Sequence, residues 1–143
     1  MKISYITGNK VKYTTGYKYR LEDDSKIIVT NYFGEEIETE YISFTPVLAG
    51  TLITVKKGYA WDGASGIKDR KSNFIASLFH DAGYQLLREL QLEMVFRYDL
   101  DRMFQQICID NGAYRWQAWI YYKTLRRFGR GAADSKSRKV KTL

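Results

Sequence analysis

The spacing of apolar and polar positions changes character once along this chain, just after Gly66. Before that point, from Lys2 to about Val55, the stretches KVKYTTGYKYRL, KIIVTNYF, EYISFTPV and TLITVKKGYAW are rich in Val, Ile, Thr, Tyr and Phe. They are separated by the turn-prone DDS, by GEE and by the AG of the segment from Leu48 to Thr51. Such composition suits a pleated, half-buried surface and predicts an antiparallel meander. In the last stretch Leu52, Thr54 and Lys56 alternate with Ile53, Val55 and Lys57, as expected of a strand with one buried and one partly exposed face. Pro46, the only proline, cannot donate to a ladder and belongs at a strand end or bulge.

After Gly66 the period becomes helical. Ser72 or Asn73 can cap a helix through FIASLFHDAGYQLLREL, whose stripe is Ile75, Leu78, Phe79, Ala82, Leu86 and Leu90. Gly83 inside it carries a penalty of about 1 kcal/mol relative to alanine, which close approach of another backbone, or of a ligand beside His80, would explain. A second helix is predicted from Tyr98 or Asp99 to Asp110, with Leu100, Met103, Phe104, Ile107 and Cys108 on one face and Asn111-Gly112 as its stop. A third runs from about Tyr114 to just before Gly129, with Trp116, Trp119, Ile120 and Leu125 expected inward and Lys123, Arg126 and Arg127 outward. The fold class that follows is α+β, an N-terminal antiparallel sheet of four to five strands packed against three C-terminal helices. One domain spans 1–129, and the aperiodic 130–143 reads as a basic tail.

Composition narrows the partners. The 143 residues suffice for one domain with a substantial core, and twelve tyrosines suit half-exposed sheet faces and contact surfaces. No run of about eighteen apolar residues occurs and the N-terminus lacks a signal-peptide core, so neither a membrane partner nor secretion is expected, and the chain is expected in a cytoplasm. Cys108, the single cysteine, flanked by Ile107 and Ile109, reads as a core thiol. The net charge of +7 is all C-terminal: from Arg115 onward there are nine basic side chains against Asp134 alone. Arg126, Arg127, Arg130, Lys136, Arg138, Lys139 and Lys141 could neutralise phosphates, with Trp116, Tyr121 and Tyr122 stacking on bases. An acidic protein partner would suit the same charges.

The candidate chemistry lies between Gly58 and Asp101. Asp62, Ser65, His80 (the only histidine), Asp81, Arg97 and Asp101 sit among apolar and aromatic neighbours, where ionisable groups must be paired or put to use. Three readings stay open. Asp62, His80, Asp81 and Asp101 offer ligands for one divalent ion that would activate a water. Alternatively, His80 is a general base toward Ser65 or a water, oriented by one of the aspartates, although no G-x-S-x-G elbow surrounds Ser65. In the third, His80, Arg97 and the aspartates form a buried network tying helix to sheet, Arg97 and Asp101 being spaced to pair on one helix.

The series GYAWDGAS, FHDAGY and RYDLDRMF resembles the motifs of a family of small phage and prophage proteins, domain of unknown function 1353. The matching positions are Asp62, Ala64 and Ser65, then His80, Asp81 and Tyr84, then Arg97, Asp101 and Phe104, with Phe128 and Gly129 resembling the family's end. The resemblance covers roughly Thr51 to Gly129. Leu100 stands where the family usually has alanine, and Gly66 and Ile67 replace a common proline. It implies a phage context, in host cytoplasm or virion, and a shared site without an assigned reaction. The expectation is a small His/Asp hydrolase, with or without a divalent ion. The alternative is a virion or host-takeover interaction protein with a basic docking end.

Overall fold

The computed structural model describes residues 1–16, 18–63 and 70–135. The strand-rich half forms two antiparallel sheets instead of one meander. Strands β1 (Ile3–Tyr5), β4 (Ser25–Val29), β5 (Ile37–Glu38), β6 (Ile42–Val47) and β7 (Gly50–Val55) make a five-stranded sheet in the order β1-β4-β7-β6-β5. A smaller sheet joins β2 (Tyr13–Thr14), β3 (Tyr19–Leu21) and β8 (Ala60–Trp61). In the central strand β7, Ile53 faces Ile27 on one side and Phe44 on the other, and Ile53 and Val55 are fully buried, as the alternation predicts. Pro46 sits one residue from the end of β6.

The helical half comprises α1 (Lys71–Arg88), α2 (Arg97–Asp110), α3 (Arg115–Phe128) and a short α4 (Arg130–Ala133). Helix α1 begins slightly before the expected cap. The backbone N–H of Arg70 donates to Asn73 Oδ1 at 2.9 Å, so Asn73 closes the first turn from inside the helix. Leu90, assigned by its spacing to the inward stripe, lies beyond the helix end with φ of 60° and is exposed. The other five stripe residues are buried in one core with Trp61, Phe44 and Phe104. Helix α1 packs on both α2 and β7, which places its middle between the sheet and the rest of the helices.

Helix α3 corrects the sequence reading. Trp116, Trp119 and Ile120 are exposed, while Ala118 and Tyr121 face inward and Leu125 is half-buried. The contact is made by a small residue and by the Tyr121 ring, which meets Phe104 edge-on at 6.2 Å, so the helix lies close to α2 with its bulkiest residues turned away. The segment after Gly129 opens with the helical turn of α4, where Ala133 is buried and the carbonyl of Ala132 accepts from Arg88 at 3.0 Å.

Gly83 has a specific reason. A Cβ there would lie 2.5 Å from Cδ2 of Leu100, so the close approach is to an α2 side chain and not to a backbone or ligand. Leu100 is itself fully buried, so it can make room only by shifting its side chain within a packed core. Gly83→Ala is expected to destabilise by about 1–3 kcal/mol through overpacking. Leu100→Ala should lose about 2–5 kcal/mol through a cavity. Because the added and removed carbons share one space, the double variant should lose less than the sum; additive urea-melt values would show that Gly83 is not spaced by Leu100.

Candidate functional site

The contact at Gly83 brings the polar face of α1 against the first two turns of α2. Asn73, Ser77, His80 and Tyr84, three or four residues apart on one stripe, are all buried. Ser77 Oγ accepts from Trp61 Nε1 at 3.1 Å and donates to the carbonyl of Phe74 at 2.6 Å, linking the stripe to β8. Below it, Asp101 of α2 has no solvent exposure at all.

Asp101 is surrounded by donors. Its Oδ1 receives Tyr84 Oη at 2.6 Å and faces His80 Nε2 at 2.8 Å, while Oδ2 receives Arg126 Nη1 at 3.0 Å. Arg97 Nε stands 3.8 Å from Oδ2 and donates to Tyr84 Oη at 3.0 Å. The other end of Arg97 donates through Nη2 to the carbonyls of Leu125 and Arg126, at 2.6 and 2.9 Å, placing its charge at the negative C-terminal end of α3. Gly129 completes this corner, since a Cβ there would come within 2.7 Å of Tyr84 Oη and 2.5 Å of the Leu125 carbonyl.

Burial by itself would raise the Asp101 carboxyl, but the hydrogen bond and charge of His80, with hydrogen bonds from Tyr84 and Arg126, outweigh it and hold the group below its usual range. Asp101 is therefore an acceptor, and the proton on the His80–Asp101 bond is assigned to Nε2. Burial and the neighbouring carboxylate push the Tyr84 phenol well up, so it stays a donor. The imidazole is held by ring contacts, 4.1 Å to Tyr84 and 5.3 Å to Phe104 between centroids. Among the described residues Nδ1 makes no hydrogen bond, and no buried side-chain nitrogen or oxygen lacks a partner. Nδ1 is thus not fully sealed from solvent, and the side chain as a whole is 10% exposed.

The expected constellation is brought together only in part. His80, Arg97 and Asp101 meet, but Asp81 turns away and accepts from Tyr59 Oη at 2.6 Å. Asp62 is exposed and faces Lys18 at 3.8 Å. Neither orients the imidazole. Among the described residues no three His, Cys, Asp or Glu side chains are grouped to hold a metal ion, so Asp62, His80, Asp81 and Asp101 do not form the expected ligand set. Ser65 lies outside the described residues, as do Lys136, Arg138, Lys139 and Lys141.

Arg126, expected to face a partner, is instead an ion-pair partner of Asp101, its guanidinium also lying 5.5 Å from the Tyr98 ring centroid. Arg127 and Arg130 are exposed. Of the stacking set, Tyr121 is buried and Trp116 exposed. Cys108 is buried, and burial pushes its thiol up to about 12, as suits a core thiol. Tyr84, four residues from His80, could have been assigned to the site by helical spacing; Arg126 could not.

The fold is α+β, and the site is a buried aspartate shared by one histidine, one tyrosine and two arginines. No protein-family model, curated protein or solved structure matches the chain.

Asp101→Asn removes the charge while keeping the shape, leaving Arg97 and Arg126 without their buried counter-ion. It should destabilise by about 3–5 kcal/mol at neutral pH. Because the folded-state carboxyl is lowered, its contribution is present above the ordinary carboxylate range and lost as pH falls through the folded value. The gap between wild type and variant should therefore narrow as pH falls from about 5 to below the ordinary carboxylate range. Urea melts across that range check it, and a gap independent of pH contradicts the assignment.

Proposed function

We propose that the chain is a small hydrolase in which His80 is the general base and Asp101 the residue that positions it. The observation carrying this reading is the division of labour on the ring, Nε2 tied to a buried carboxylate at 2.8 Å and Nδ1 without a partner among the described residues. A fixed imidazole with one basic edge toward solvent is what proton abstraction from water requires. Nδ1 takes a proton as the water oxygen bonds to the acyl carbon or phosphorus of the substrate. The imidazolium, facing Asp101, then returns the proton to the leaving oxygen as its bond breaks. Tyr84, Arg97 and Arg126 are positioning residues, since each acts on Asp101 and none is needed at Nδ1. The ordered motifs around Asp62, His80 and Asp101 support membership of the phage and prophage family they resemble, and with it a place in host cytoplasm or virion.

A second reading is favoured by the complete burial of Asp101 and the absence of unsatisfied buried polar atoms among the described residues. There the network only ties α1, α2 and α3 together, and the chain is an interaction protein.

The single histidine separates the two. Diethyl pyrocarbonate should modify the folded protein at one imidazole, and His80→Gln should abolish that signal. On a panel of p-nitrophenyl carboxylic and phosphoric esters, the same variant should lose about 10²–10⁴-fold in kcat while remaining folded. An imidazole that reacts only after denaturation, or turnover unchanged by His80→Gln, would leave the architectural reading.

A further inference from the structure

Helix α3 carries a second surface unrelated to Asp101. Over its fourteen residues it contains no Asp or Glu. Its outward arc, about 140° wide at 100° per residue, presents Arg115, Trp116, Trp119, Ile120, Lys123 and Arg127, all exposed. Trp116 and Trp119 are 65% and 54% exposed and Ile120 is 47% exposed, a cluster of large apolar groups that water does not favour. No helix of the described residues is long and apolar enough to cross a membrane, but a helix lying in an interface needs only one such face.

The arrangement selects among anionic partners. A second copy docked arc to arc would set Arg115, Lys123 and Arg127 against like charges, with no Asp or Glu on the helix to offset them. A single strand of nucleic acid would need free ring faces for its bases. Here Lys123 Nζ lies over the Trp119 ring at 5.5 Å, and the Trp116 ring is stacked on Tyr114 at 6.3 Å and 8°. A convex helix face meets a flat surface along its whole length, indoles favour the level of lipid headgroups, and lysine and arginine extend to the phosphates.

We infer that the outward arc of α3 docks on an anionic lipid bilayer, with Trp116, Trp119 and Ile120 at the acyl boundary and Arg115, Lys123 and Arg127 at the phosphates. The hydrolase reading is not needed for this.

The full chain should co-sediment with vesicles of equimolar phosphatidylglycerol and phosphatidylcholine and not with phosphatidylcholine alone. Tryptophan emission should shift to the blue on binding, a signal owed to the exposed indoles because Trp61 is already buried. The pairs Trp116→Ala with Trp119→Ala, and Lys123→Glu with Arg127→Glu, should each weaken partitioning about tenfold or more with melting unchanged. Failure to sediment with phosphatidylglycerol vesicles, or binding by either double variant as tight as that of the unaltered chain, overturns the inference. So does capture of single-stranded oligothymidylate by a chain that ignores the vesicles, which would assign the arc to nucleic acid.

Discussion

A carboxylate withdrawn completely from water must have its charge met on every side, and Asp101 places that requirement on three helices at once. α1 supplies His80 and Tyr84, α2 supplies Arg97 and the aspartate itself, and α3 supplies Arg126. Apolar packing alone tolerates small shifts between helices; the hydrogen-bond lengths around Asp101 do not. The small residues at the crossings follow from this. Gly83 lets Leu100 sit against α1, and Gly129 lets the end of α3 close on Tyr84 and Arg97. The geometry of His80 is therefore a consequence of helix register.

Much of this architecture is legible in the residues. The stripes of α1 and α2 follow helical spacing because both helices are buried along one continuous face, and the Val/Ile/Thr-rich first half reports strands for the same reason. The division of those strands into two sheets is not legible, since pairing partners such as β3 and β8 lie about forty residues apart. The outward turn of α3 is not legible, because hydrophobicity ranks tryptophan above alanine as a core residue. Ala118 is fully buried and Trp119 is 54% exposed, so the small residue takes the contact and the indole stays outside.

The site was half legible. His80, Arg97 and Asp101 were identified from ionisable groups amid apolar sequence, and they do meet. Asp81, one residue from His80, points some 100° around the helix and is taken by Tyr59. Asp62 stays in water beside Lys18. Adjacency in sequence was a poor guide on a helix, whereas a spacing of four, as between His80 and Tyr84, was a good one. The role of Arg126 depends on how α2 crosses α3, which no local pattern records.

Arg126 follows Asp101 by twenty-five residues, so the aspartate gains its full set of partners only when α3 has folded back against α2. Without α3, Oδ2 has Arg97 alone, at 3.8 Å, and takes its hydrogen bonds from water. Helix α3 therefore acts as a clasp: its docking, more than formation of the sheets, shuts the buried carboxylate away from water.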